Sequence, residues 1–96
     1  REQAIDYMAA NSGLTRADVT AEVDRYLVWP GQATAYKIGE LKIKELRAKA
    51  KAKLGERFDL RRFHNAVIDN GALPLSVLEQ SIDEWIAGEV AAAPAK

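Results

Sequence analysis

The 96-residue sequence contains no cysteine and a single histidine, and these absences exclude several kinds of chemistry. Without cysteine the chain can form no disulfide and offers no thiol nucleophile. Zinc sites are usually built from several His, Cys or carboxylate ligands, so we expect no metal and no cofactor in this chain. The longest apolar runs fall far short of the roughly 20 residues of a membrane span. The charged opening REQAIDYM is unlike a signal peptide, and the missing initiator Met favours a fragment.

The formal net charge is zero, which argues against a general binder of polyanions. The charge is uneven, because residues 37–62 contain ten Lys or Arg and four Asp or Glu. Three of these lysines, Lys49, Lys51 and Lys53, stand two residues apart and therefore do not share one helix face. No aromatic residue separates them, so we interpret them as a solvated surface and expect no nucleic-acid partner.

The apolar spacing predicts an all-α fold of about five helices, with one long central helix packed by shorter ones. The expected helices cover residues 4–10, 15–29, 30–54, 60–70 and 74–88. Thr15 and Asp59 are expected to cap the second and fourth helices, Pro30 to begin the third and Gly55 to close it. The expected organisation is a helical segment over 1–88 and a flexible tail over 89–96.

The third helix is expected to carry two apolar faces. One face comprises Tyr36, Gly39, Ile43, Leu46, Ala50 and Leu54, and the other comprises Ile38, Leu41, Ala48 and Ala52. Two apolar faces on one helix require neighbours on two sides. Because so short a chain has little left to cover both, we expect the second face to bind the remainder of a longer parent chain or a second copy.

Several polar and special residues have simple packing explanations when each is considered alone. Tyr36 shares a face with Ile43, which favours core packing, and His64 beside Phe63 is typical of a core or boundary residue. Gly39 in the middle of a helix favours close helix packing over the approach of a ligand. The sequence therefore does not require a site at these positions.

The stretches RYLVWPGQATAYKIGELKIKELR and LGERFDLRRFHNAVIDNGALPLSVLEQSIDEWI together resemble the extreme C-terminal part of a bacterial family of unknown function, DUF885. The family pattern reads R-Y-x3-P-x-Q-A-x2-Y-x-x-G, followed by F-H-x3-L-x2-G-x-x-P-L. It is matched here by Arg25, Tyr26, Pro30, Gln32, Ala33, Tyr36 and Gly39, and then by Phe63, His64, Gly71, Pro74 and Leu75, while Ile68 stands near the usual Leu.

Members of this family resemble mostly helical zinc metallopeptidases of the gluzincin type, which carry an H-E-x-P-G-H motif. That motif places two zinc-binding histidines on one helix face, with the Glu as general base. This chain lacks it. The resemblance therefore implies a C-terminal helical segment that is inactive alone, with zinc and a peptide substrate bound by the bacterial parent. For the parent, the cell envelope or periplasm is a possible location.

By analogy with related helical metallopeptidases, Tyr36 and His64 are the candidate donors to an oxyanion, and Arg25 and Tyr26 the candidate substrate-binding residues. The resemblance predicts that Tyr36 and His64 open toward one common surface. For that, the fourth helix would have to cross the start of the third. The alternative is a non-catalytic helical protein-interaction module, so whether the parent is an enzyme stays open.

Overall fold

The computed structural model describes residues 1–92, and within them it is all-α. Its α-helices are α1 (Glu2–Ala10), α2 (Arg16–Val28), α3 (Gln32–Leu54), α4 (Leu60–Ile68) and α5 (Leu75–Ala91), with a short 3-10 helix at Gly55–Arg57. The longest of these is α3, with 23 residues. The predicted fold class and the predicted long helix are confirmed.

Two helix starts are fixed by the side chains that the sequence indicates. The Thr15 hydroxyl accepts a hydrogen bond from the Asp18 backbone N–H at 3.2 Å and begins α2. The Asp59 carboxylate accepts from the backbone N–H groups of Arg61 at 2.8 Å and Arg62 at 3.1 Å, and begins α4. Both caps satisfy donors that a helix start otherwise leaves unpaired.

The predicted start of α3 at Pro30 is wrong, because α3 begins at Gln32. Pro30 and Gly31 form a turn instead, and Gly31 has a φ of 83°. This left-handed conformation cannot belong to a right-handed helix and is readily adopted only by glycine. The helix therefore starts after the glycine.

The predicted end of α5 at Gly88 is also wrong, since the helix continues to Ala91. Its last turn is held from outside: Arg57 donates to the carbonyl oxygens of Val90 and Ala92, and Arg62 pairs with Glu89. These contacts offset the modest helix cost of a glycine, about 1 kcal/mol. Of the expected flexible tail, residues 89–91 are thus helical, and residues 93–96 lie outside the described part. The other shifted bounds are small: α1 begins two residues early and α4 ends two residues early.

The chain divides into two compact units, Arg1–Lys37 and Ile38–Lys96. In the first unit, α1 packs against α2 through the buried side chains of Ile5, Val19 and Val23. Ion pairs at the rim, such as that between Arg1 and Asp24, are exposed and contribute little to stability. The first unit therefore depends on a small apolar core.

In the second unit, α3 and α5 run in the same direction. Lys42 of α3 pairs with Glu79 of α5 at 3.3 Å, and Lys49 pairs with Asp83 at 2.5 Å, so the partner numbers rise together. Between these helices lies a core that also includes Phe63 of α4; its buried members are Leu46, Ala50, Leu54, Phe63, Leu78, Ile82 and Ile86.

Helix α4 runs antiparallel to α5. Arg62 near its start pairs with Glu89 near the end of α5, and Asn70 just after α4 donates to Ser81 of α5 at 3.1 Å. Phe63 of α4 joins the cluster formed by the C-terminal half of α3. Helix α4 therefore lies beside that half of α3.

Candidate functional site

The family motif of the first unit folds into a corner between α2 and α3. The Trp29 backbone N–H donates to the Arg25 carbonyl at 2.9 Å and closes α2. The Ala35 N–H donates to the Gly31 carbonyl at 3.1 Å, and the Thr34 hydroxyl donates to the same oxygen at 2.8 Å. The Trp-Pro-Gly-Gln sequence is thus explained by a tight turn in which only glycine readily takes the left-handed position.

Arg25 holds this corner together. Its guanidinium contacts both carboxylate oxygens of Glu22, with Nε to Oε1 at 3.2 Å and Nη2 to Oε2 at 2.7 Å. Its Nη1 donates to the side-chain oxygen of Gln32, the first residue of α3, at 2.5 Å. The guanidinium carbon also lies 5.0 Å from the centre of the Tyr26 ring, a cation–π distance. Arg25 therefore connects the end of α2 to the start of α3.

The Glu22 carboxylate and the Arg25 guanidinium stabilise each other in their ionised forms. The hydrogen bond from Arg25 holds the pKa of the Glu22 carboxyl below its usual range, against a smaller desolvation effect. The hydrogen bond to Glu22 in turn raises the pKa of Arg25. Both groups are consequently ionised at neutral pH, and the guanidinium is held in one orientation.

Tyr36 lies one turn into α3, and its side chain is 75% exposed, so the core-packing interpretation is wrong. The apolar face that it shares is covered only from Leu46 onward, where α5 packs against α3. Among residues 1–92 no hydrogen-bond partner is present for its hydroxyl. Tyr36 is therefore available to a group outside the described chain.

His64 lies in the first turns of α4 and is exposed. Of the core and boundary positions that its sequence neighbours suggest, the core position is therefore wrong. Its neighbour Phe63 takes the buried position, and the two ring centres lie 6.1 Å apart. Because successive helix residues are about 100° apart, burying Phe63 turns His64 away from the core. The imidazole stands at the edge of the apolar cluster.

The four candidate residues do not all fall in one unit. Arg25, Tyr26 and Tyr36 belong to the first unit, and His64 belongs to the second. A common site requires α4 to cross the start of α3, whereas within the second unit α4 lies beside the C-terminal half of α3. The common surface for Tyr36 and His64 therefore stays a prediction.

Two residues of the corner were given no role from the sequence. Glu22 precedes Arg25 by three positions, a spacing that favours an ion pair on a helix. Gln32 stands in the family pattern, but its contact with Arg25 depends on the turn at Gly31. The ion pair between Glu22 and Arg25 could have been predicted from this spacing. The contact between Gln32 and Arg25 could not, because it depends on the turn in three dimensions.

Residues 1–82 match a family described as "Bacterial protein of unknown function (DUF885)". The chain belongs to this family. A solved structure, that of a "putative lipoprotein" from Colwellia psychrerythraea, is similar to this DUF885 chain with 50% sequence identity and a TM-score of 0.88. The match covers 91% of this chain and 15% of the other, so the chain spans about 15% of the length of that relative. A search of curated proteins finds no match.

In residues 1–92 of this DUF885 chain, no group of three or more His, Cys, Asp or Glu side chains is placed to hold a metal ion. His64 is the only imidazole in the sequence. The donor set therefore does not fit a zinc ion. None of the helices in the described region is both long and apolar enough to cross a bilayer.

Proposed function

We propose that this DUF885 chain is the C-terminal helical segment of a zinc-dependent, peptidase-like protein, to which it supplies substrate-contacting residues. The observation that supports this most directly is the corner at Arg25, where an arginine fixed by Glu22 and Gln32 lies over the ring of Tyr26. The solved relative is several times longer than this chain, which is consistent with a role for the segment inside a larger protein. No peptide bond is cleaved by the segment alone.

Arg25 is suited to hold a peptide. A guanidinium carries five N–H groups. Three are used by the bonds to Glu22 and Gln32, which leaves one on each terminal nitrogen. Those two donors can bind a carbonyl or carboxylate oxygen of a peptide, while the cation stacked on Tyr26 stays fixed. Arg25 and Tyr26 thus form the proposed substrate contact.

Tyr36 and His64 are the proposed donors to developing negative charge. A tyrosine hydroxyl or an imidazole N–H can stabilise the oxyanion of a tetrahedral intermediate during peptide hydrolysis. Such a donor must point away from its own core, and both side chains are exposed. Zinc and its general base would come from an H-E-x-P-G-H motif elsewhere in the parent. No step of the reaction is assigned to a metal bound by this chain.

The alternative is a non-catalytic interaction module. It is favoured by the second face of α3, where Ile38 is 56% and Leu41 is 55% exposed and Ala48 and Ala52 are also exposed. The two proposals make different predictions about the parent reading frame. The peptidase proposal requires an H-E-x-P-G-H motif there, and the interaction module does not. For the parent we also propose an envelope location, because the structural relative is described as a lipoprotein.

The test is an assay of the full-length parent against a peptide library, with and without a chelator. Cleavage that stops on chelation and returns with zinc is the expected result. Arg25→Lys should raise KM by about tenfold, since a lysine cannot form the same fork of bonds. The matched control is Arg16→Lys, because Arg16 also pairs with a carboxylate, Asp6, on the surface. His64→Gln should lower kcat.

One result would reject the peptidase proposal, and another would reject the role of Arg25 in substrate binding. The first is a parent that cleaves no peptide at any metal loading. The second is metal-dependent cleavage whose KM responds equally to the changes at Arg25 and Arg16, which would make the corner purely structural.

A further inference from the structure

The outer face of α3 has the spacing of a helix-packing seam. Ile38, Leu41, Glu45, Ala48 and Ala52 are separated by three, four, three and four residues, the a/d spacing of coiled coils. All five are exposed, with the Glu45 side chain at 61%. They lie opposite the side of α3 that enters the core, and extend over about 21 Å of helix. We call these five residues the outer seam.

Lysines border the outer seam on both edges. Lys42 and Lys49 form one edge, and this edge is joined to α5 through Glu79 and Asp83. The other edge carries Lys37, Lys44 and Lys51, which recur every seven residues. There Lys44 pairs with Glu40 of the same helix, and Lys51 is exposed. The outer seam is thus bounded by α5 on one side and by an edge with the exposed Lys44 and Lys51 on the other.

We infer that the outer seam docks an amphipathic helix with Asp or Glu along its flank, supplied by the remainder of the longer parent chain. The inference rests on the proposed function only in that the segment works within a longer chain. The apolar residues of such a helix would cover Ile38 and Leu41, and its acidic flank would face Lys44 and Lys51. The small side chains at Ala48 and Ala52 permit a close approach of the two helices.

The charge pattern argues against a second copy of this chain as the occupant. If two α3 helices met at their outer seams in antiparallel orientation, the edges with Lys44 and Lys51 would face each other. In parallel orientation, Lys44 and Lys51 would face the edge with Lys42 and Lys49 of the partner. In the antiparallel case lysine opposes lysine, and juxtaposed like charges are destabilising. In the parallel case Lys44 and Lys51 gain no free carboxylate, because Glu79 and Asp83 at the facing edge are already paired with its lysines.

A lipid surface is a poorer occupant than a helix. Membrane-surface helices carry large aromatic or aliphatic residues along their apolar face. The outer seam has only two large aliphatic residues, Ile38 and Leu41, and carries the charged Glu45 at its centre. Protection of the outer seam by lipid would therefore contradict the inference.

The first experiment is zero-length carbodiimide cross-linking of the full-length parent, which joins lysine amines to carboxylates in direct contact. We expect mass spectrometry to find Lys51, and to a lesser extent Lys44, joined to Asp or Glu residues outside residues 1–96. Lys51→Gln should remove its own cross-link. Cross-links confined to carboxylates of this chain, such as Lys44 to Glu40, would overturn the inference.

The second experiment compares thiol labelling in the parent and in the 96-residue chain. Ala48→Cys places a thiol in the outer seam, and Ala72→Cys places one at an exposed control position. The Cys at position 48 should react at least about 100-fold more slowly in the parent, and the control should react equally in both. Equal rates at position 48 would overturn the inference. So would a concentration-dependent dimer of the 96-residue chain that protects this thiol, or protection by vesicles of anionic lipid.

Failure of the peptidase proposal would leave these results unchanged, because neither experiment measures catalysis. Conversely, an active parent without the expected cross-links would reject the docked helix alone. The two proposals can therefore fail separately.

Discussion

Phe63→Ala tests whether the second unit depends on the cluster centred on α4. Phe63 is fully buried, and its ring centre lies 6.0 Å from that of Phe58 and 6.2 Å from that of Trp85. Replacing a buried Phe by Ala usually costs about 3–5 kcal/mol, because apolar contact is lost and a cavity remains. Small domains are stable by only about 5–15 kcal/mol in total. We therefore expect the variant to lose most of the stability of the second unit.

The assay is thermal unfolding combined with hydrogen exchange read by peptide fragments. Loss of about 3 kcal/mol corresponds to a fall in Tm of at least about 12 °C for a chain of this size. Protection should fall mainly in α4, α5 and the second half of α3. The control is Leu60→Ala on the same helix, where the side chain is exposed, and we expect a change of about 0.5 kcal/mol or less. Similar losses for both variants would refute the proposed core.

Two further predictions concern the helix cap and the glycines. Asp59→Ala should lower Tm at neutral pH and Asp59→Asn should restore most of it, because asparagine is an equally good cap. Backbone hydrogen bonds from Arg62 and Arg61 lower the pKa of Asp59, so its stabilisation is present above its unfolded pKa and is lost as the pH falls through the folded value. The Tm difference between wild type and Asp59→Ala should accordingly shrink in acid; a constant difference would contradict the role of the charge. Gly31→Ala should cost about 1–2 kcal/mol because of its left-handed φ, whereas Gly39→Ala should stabilise the chain by about 0.5–1 kcal/mol in chemical denaturation. Equal effects at the two glycines would contradict this.

Gly39 also shows a limit of the sequence analysis. Close helix packing was the expected reason for this glycine. In residues 1–92, however, no atom other than those of its chain neighbours and the adjoining α3 backbone lies within 4 Å of a Cβ placed at that position. The packing interpretation is therefore wrong for this chain. The approach of a ligand to Gly39 stays a prediction.

The helices could be predicted where the determining signal is local. Thr15, Asp59 and Gly55 act on the neighbouring backbone, and each marks a helix end as expected. The end of α5 could not be predicted in this way, because it depends on Arg57 and Arg62 from distant parts of the chain. Local chemistry fixes caps, whereas tertiary contacts extend helices.

The candidate site could be predicted only in part, for a related reason. The family pattern proposed Arg25, Tyr26, Tyr36 and His64 as site residues. Periodicity alone assigned Tyr36 to the core and His64 to the core or its boundary. A periodic face shows where apolar residues align and does not show whether a neighbouring helix is long enough to cover them. Helix α5 covers α3 only from Leu46 onward, which leaves Tyr36 exposed.

The most direct test of the proposed role is the turnover of the full-length parent carrying Tyr36→Phe, with Tyr7→Phe as the control. The two tyrosines are exposed to 75% and 73% and lie on different helices, so removal of either hydroxyl should leave Tm unchanged. For Tyr36→Phe we expect kcat to fall by about 100-fold or more, the size of one lost oxyanion donor, with KM little changed. The control should retain wild-type kcat. An unchanged kcat for Tyr36→Phe would contradict the proposed role of this residue.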